Sequence, residues 1–166
     1  MNLDNSEKQI IWNTRTVFTM IICITIPLLV GAISSFLTKD AMISFNSMNK
    51  PPLAPPAWLF PVAWTILYIL MGIASFIMFE SADESRYIGL VIYVIQLTMN
   101  FVWSLIFFRL DAYVFAAVWL ALMIIMIIVL IANTSKYSTA AMIMLIPYLA
   151  WCCFAMYLNV GIAMIN

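Results

Sequence analysis

The chain has 166 residues, of which 66% are hydrophobic and 8% charged, with no net charge at pH 7 and a mean hydropathy of +1.10. It holds too few polar groups to cover a soluble globule, so it reads as an integral membrane protein. With no net charge and no basic cluster, neither nucleic acid nor an anionic membrane surface is an implied partner; the absence of histidine removes the commonest general base, metal ligand and haem-iron ligand together.

The first fifteen residues carry Asp4, Glu7, Lys8 and Arg15. The apolar run behind them, of about 21 residues, is longer than a signal peptide's hydrophobic region and predicts a retained first helix, with cleavage near the small residues Gly31-Ala32-Ile33-Ser34-Ser35 as the alternative. Five runs of spanning length, near 16–37, 57–79, 87–107, 112–132 and 138–164, predict an all-α integral membrane protein, a five-transmembrane-helix bundle forming a single domain over residues 1–166. Continuous apolar runs such as Leu120 to Ile131 exclude the alternating strands of a transmembrane barrel. Pro27 lies in the middle of the first run and should kink it.

Residues 38–56 form the long connection, and five of the seven prolines fall between Pro51 and Pro61. Proline fixes φ and lacks a donor, so Pro51, Pro52, Pro55 and Pro56 predict a stiff, extended lid loop between helices 1 and 2, with Trp58 at its end. Pro55 and Pro56 are expected in the first turn of helix 2, where a missing N–H costs nothing, and Pro61 one turn inside, where it should bend the helix. The connections near 80–86, 109–111 and 133–137 are just long enough to turn a helical hairpin, so consecutive helices should be antiparallel and adjacent. Five spans put the termini on opposite sides. Four Lys and Arg on one side and three on the other is too small a bias to set an orientation.

In the third run Gln96, Asn100 and Ser104 recur at i, i+4 and i+8, on one helix face, with Trp103 alongside. Such groups either bond to neighbouring helices or offer hydrogen bonds to the polar edge of an apolar ligand, and both readings turn the stripe inward. Of the six tryptophans, Trp12 and Trp58 sit at run ends and fit an interfacial belt. Trp64, Trp103 and Trp151 lie deeper, where an indole needs a partner for its N–H and where flat rings could wall a cavity for a flat ligand. Trp119 packs or faces lipid. Pro147, about one turn before Trp151, frees the Ile143 carbonyl and bends helix 5. Cys23, Cys152 and Cys153 all lie in apolar runs and act as small hydrophobes.

The stretch Lys50-Pro51-Pro52-Leu53-Ala54-Pro55-Pro56-Ala57-Trp58-Leu59-Phe60, continuing to Trp64, Tyr68 and Met71-Gly72, resembles the tryptophan-rich sensory protein family, also called the translocator protein or peripheral-type benzodiazepine receptor family. Gln96-Leu97-Thr98-Met99-Asn100-Phe101-Val102-Trp103 with Ile106-Phe107-Phe108 is similar to that family's third helix, and Pro147-Tyr148-Leu149-Ala150-Trp151-Cys152-Cys153-Phe154-Ala155 to its fifth. The resemblance implies a membrane receptor for porphyrins such as protoporphyrin and haem, held as ligands rather than cofactors among the helices and beneath the first loop. Matched by motif position, the pocket would draw on Phe60, Trp64, Tyr68, Asn100, Trp103, Phe107, Trp151, Ala155 and Leu158, with Phe115 and Leu122 aligned less securely. The resemblance also carries a homodimer as an expectation. The chain departs from the family in three places. No Lys or Arg follows Lys136, so the basic motif proposed for cholesterol in mitochondrial members is missing; Leu53 stands where a Trp is frequent; and Gly89 is followed four residues later by Tyr93, not by a second small residue.

Two other classes compete with a receptor. A transporter of tetrapyrroles or other lipophilic molecules would be expected to show inverted repeats, and none is detectable among five helices. An enzyme degrading porphyrin would work without histidine or paired intramembrane carboxylates, leaving only redox or light-driven chemistry through Trp64 or Trp151.

Overall fold

The computed structural model describes residues 13–39 and 49–166. Within them the chain is all-helical, with α1 (Thr14–Leu37), α2 (Leu59–Glu80), α3 (Arg86–Phe108), α4 (Tyr113–Thr134) and α5 (Thr139–Ile165). All five are long and apolar enough to cross a bilayer, because in hydrocarbon a chain must satisfy its backbone hydrogen bonds within each segment. Their ends fall within two residues of the apolar runs.

Local chemistry sets those ends. Asn13 Oδ1 accepts from the Thr16 amide at 3.0 Å at the start of α1, and Ser138 Oγ accepts from the Ala141 amide at 3.2 Å at the start of α5. After α2, the Arg86 guanidinium donates to the Phe79 and Ser81 carbonyls, satisfying acceptors the helix end leaves open. Asp111 takes a positive φ of 50° in the tight turn between α3 and α4, a conformation its short polar side chain tolerates.

Two expectations about the second helix need correcting. It begins at Leu59, after a turn in which the Leu59 amide donates to the Pro56 carbonyl, so Pro55 and Pro56 precede the helix. Pro61 is then its third residue, where the backbone N–H has no intrahelical partner, and no bend follows from its absence. Pro27 and Pro147 do lie inside α1 and α5.

α1 packs on α2, α2 on α5, α5 on α4 and α4 on α3, and thinner contacts of α3 with α1 and α2 complete the bundle. The short turn between α2 and α3 therefore does not make them the principal neighbours, because α5 takes the position against α2, with Phe60 meeting Trp151 and Trp64 meeting Tyr148 edge to face. α1 is peripheral, 11% buried along its most apolar stretch against 44% for α2. It comes closest to α2 at Gly72, where an added Cβ would lie 2.5 Å from Ile24 Cα and 2.9 Å from the Cys23 carbonyl. That carbonyl is the one whose helical donor Pro27 removes. Asn166 Nδ2 donates to the Asn49 carbonyl at 3.1 Å, which puts the C-terminus at the loop-one end, opposite the start of α1.

Candidate functional site

At the loop-one end, α1, α2, α3 and α5 enclose a cavity of about 380 Å³. α2 contributes Phe60, Trp64 and Tyr68 at spacings of four, hence on one face. α3 contributes Asn100 and Trp103, and α5 Trp151 and Ala155. All seven were expected from the sequence, and the three deep tryptophans stand at one cavity. Trp64 stacks on Tyr68 with ring centroids 5.5 Å apart and lies 6.3 Å from Trp103, while Trp151 meets Phe60 edge to face at 6.1 Å.

The polar stripe on α3 turns inward and bonds to neighbouring helices. Asn100 and Gln96 are buried, and they tie three helices together. The Tyr68 hydroxyl donates to Asn100 Oδ1 at 2.7 Å, and the Tyr148 hydroxyl donates to Gln96 Oε1 at 2.7 Å. Asn100 Nδ2 reaches the Tyr148 oxygen only at 3.5 Å, the long limit of a hydrogen bond. Asn100 also lines the cavity, so one amide both joins helices and presents polarity to the space. Ser104 bonds Ser34 of α1, closing the seam between α1 and α3 beside it.

The indoles differ in how their N–H groups are spent. Trp103 Nε1 donates to Asn159 Oδ1 at 3.3 Å, and Asn159 in turn donates to the Tyr113 carbonyl at 2.8 Å. Trp119 Nε1 donates to the Met99 carbonyl at 2.9 Å, sealing α4 to α3 away from the cavity. Trp151 Nε1 is buried and has no partner.

Other expected residues take different places. Phe107 and Leu158 are buried but belong to the packed core, with Phe107 stacked on Trp103 at 5.5 Å. Phe115 and Leu122 are 55% and 50% exposed on α4, which contributes nothing to the cavity wall. Trp58 is exposed, and Trp12 lies outside the described residues. Of the expected lid, residues 40–48 likewise lie outside them. The part from Asn49 onward docks on the end of α5: Pro51 is buried against Gly161, and the Tyr157 hydroxyl donates to the Pro52 carbonyl. None of Pro51, Pro52, Pro55, Pro56 or Trp58 lines the cavity.

Sequence reasoning missed the α1 wall, made by Gly31, Ser34, Ser35 and Thr38, and the partners Tyr148 and Asn159 on α5. Asn159 is a buried amide inside an apolar run, the signal that singled out Gln96 and Asn100, and it could have been found the same way. Among the described residues no cluster of His, Cys, Asp or Glu could hold a metal ion.

Comparison with known proteins agrees with this architecture. The model of the TspO/MBR family matches residues 23–165. A tryptophan-rich protein TspO from Chlorobaculum tepidum is 36% identical over 92% of this chain and 98% of its own length. One of the same name from Archaeoglobus fulgidus is 37% identical over 84% of this chain and 91% of its own length, and a translocator protein from Ovis aries is 32% identical over 69% and 70%. With five apolar spanning helices and a family match running from within α1 to the last residue of α5, the chain is a multi-pass integral membrane protein and belongs to the TspO/MBR family.

Proposed function

We propose that this protein is a membrane receptor that takes a porphyrin, protoporphyrin or haem, or a similar flat hydrophobic molecule, as a ligand in the aromatic cavity. Membership of the TspO/MBR family supports a membrane sensor or translocator role, and the finer reading rests on one observation: Trp64, Trp103 and Trp151, from three helices, face one space together with Asn100. Flat rings against flat rings gain apolar burial and, beyond it, about 0.5–1.5 kcal/mol for each well-placed pair. The cavity lies toward the small end of the about 300–1,000 Å³ usual for small-molecule sites, so a tetrapyrrole would be gripped by part of its ring system with the rest directed to the loop-one mouth. Asn100 would meet the polar edge of the ring system and the acidic substituents would stay at the mouth, with no histidine to ligate iron. The proline segment would act as a lid by holding the mouth from its anchor on α5.

The deciding experiment is a titration of the purified protein with protoporphyrin and with haem, followed by tryptophan quenching. Saturable quenching that is lost on replacing Trp64 and Trp151 together supports the proposal. Linear, unsaturable quenching overturns it.

A further inference from the structure

No charged residue lines the aromatic cavity, and polar residues run up one wall of it, with Ser34, Ser35 and Thr38 on α1 and Asn100 and Ser104 on α3. Those two helices run in the same direction, both ending at the loop-one mouth, and the Ser34–Ser104 bond fixes them in register. Four residues beyond that bond on each helix stand Thr38 and Phe108, which still line the cavity. One residue further, each helix presents a cation. Lys39 follows the last turn of α1 and Arg109 caps α3, so both stand at one level, about 7 Å of helix rise above the serines. Both are exposed, and among the described residues neither is in an ion pair. Lys39 Nζ rests 5.2 Å from the centroid of the exposed Phe36 ring, a contact that a carboxylate displaces. Asp111, the acidic residue nearest Arg109 along the chain, accepts from the Tyr113 hydroxyl at 2.8 Å. Lys50, the third cation of this end, is half-buried on the α5 side, where the next residue, Pro51, packs on Gly161.

We propose that Lys39 and Arg109 form a cationic clasp that selects, among flat lipophiles, those carrying free carboxylates on one edge. The clasp rests on the porphyrin reading and deepens it: the macrocycle lies among the rings of the cavity with its acid edge toward the mouth, and one carboxylate pairs with each cation. A mouth built this way needs those charges. α1, α3 and α5 all end there, and helix C-termini carry partial negative charge that repels a carboxylate. Scale agrees. From Asn100 to Arg109 is nine residues, about 14 Å of rise, room for a macrocycle and a short acid arm end to end. Arg109 can hold a carboxylate through two parallel hydrogen bonds, while Lys39 meets it as a point charge. A flat molecule without acids, or with its acids esterified, gains the apolar burial but not the clasp.

The test uses the full chain in phosphatidylcholine nanodiscs, titrated with protoporphyrin and with its dimethyl ester and read by tryptophan quenching. Lys39→Gln combined with Arg109→Gln should lower the affinity of the acid about tenfold and leave that of the ester unchanged, each single change giving about threefold, the scale of exposed charge pairs. Arg109→Lys should keep most of the acid's affinity. Lys136→Gln, exposed in the turn at the opposite end, should alter neither ligand. Added salt should weaken the acid in the unaltered protein and much less in the double variant. Unchanged ester binding in the double variant shows the cavity intact, which separates loss of the clasp from loss of the fold. If acid and ester both saturate but the double variant weakens them alike, or weakens neither, the clasp is overturned while the receptor reading stands. If neither ligand saturates in the unaltered protein, both fall together.

Discussion

The Tyr68 hydroxyl donates to Asn100 Oδ1 at 2.7 Å, joining α2 to α3 at the inner end of the aromatic cavity. Both residues are buried, at 6% and 2% exposure, so neither atom can turn to water if the other is lost. Tyr68→Phe should therefore destabilise the protein by about 1–3 kcal/mol, the cost of a stranded buried acceptor. Tyr68→Phe combined with Asn100→Leu should recover part of that loss, since both polar ends are then gone. A thermal or denaturant unfolding series in detergent reads both, and a double variant worse than the sum of the singles would contradict the pairing.

Two glycines give opposite outcomes on substitution by alanine. At Gly72 the new Cβ meets backbone, 2.5 Å from Ile24 Cα, so α1 must shift bodily from α2 and the unfolding midpoint should fall. At Gly161 it meets the Pro51 ring at 2.7 Å, and a loop can retreat where a helix cannot. Gly161→Ala should leave the helices intact while releasing the 49–58 segment. Limited proteolysis checks this: cleavage in that segment should accelerate in Gly161→Ala, and in Tyr157→Phe, which frees the Pro52 carbonyl. If the segment serves as a lid, porphyrin should leave both variants faster.

Leu53 takes a φ of 66° in the turn closed by the Ala54 amide on the Pro51 carbonyl at 3.3 Å. A left-handed conformation costs a branched side chain about 1–2 kcal/mol that glycine does not bear, offset in part by glycine's greater freedom when unfolded. Leu53 is 84% exposed and packs little, so Leu53→Gly should raise stability slightly and slow proteolysis of the segment. A lower unfolding midpoint would show that the leucine side chain does more in the membrane interface than the turn geometry implies.

The five spans were legible because the hydrocarbon slab fixes how long an apolar run must be, and Thr14, Leu59, Arg86, Tyr113 and Thr139 begin helices where polarity or prolines interrupt the runs. The inward face of α3 was legible because Gln96 and Asn100 have nowhere else to go. Neighbour order was not, since loop length places α3 beside α2 while the rings of Trp151 and Tyr148 bring α5 there instead. The α1 wall was hidden for a similar reason. Gly31, Ala32, Ser34 and Ser35 are small residues whose spacing shows only that something can come close, not that a cavity does. Phe115 and Leu122 illustrate the limit of motif position: in so apolar a helix as α4, nothing in the residue type separates a face toward ligand from one toward lipid.

The three cavity tryptophans should separate into two kinds by what their N–H groups already do. Trp103 Nε1 is committed to Asn159, which is itself fully buried and holds the Tyr113 carbonyl. Trp103→Phe strands the Asn159 acceptor, so it should cost about 1–3 kcal/mol of stability with or without ligand. Trp151 Nε1 has no partner to lose. Trp151→Phe keeps a ring and removes an unsatisfied donor, so stability should be unchanged or improved while porphyrin affinity falls about tenfold or less, with the ring area lost. Trp64→Ala, which removes the ring stacked on Tyr68, should cost more affinity than Trp151→Phe. Trp119, bonded to Met99 on the α4 side, and exposed Phe115 serve as controls: Phe115→Ala should leave affinity unchanged, and Trp119→Phe should affect stability alone. Unfolding midpoints and quenching titrations on the same five variants measure both quantities together. Affinity that ignores Trp64 and Trp151 but follows Phe115 would move the ligand out of the bundle, onto the lipid-facing surface of α4.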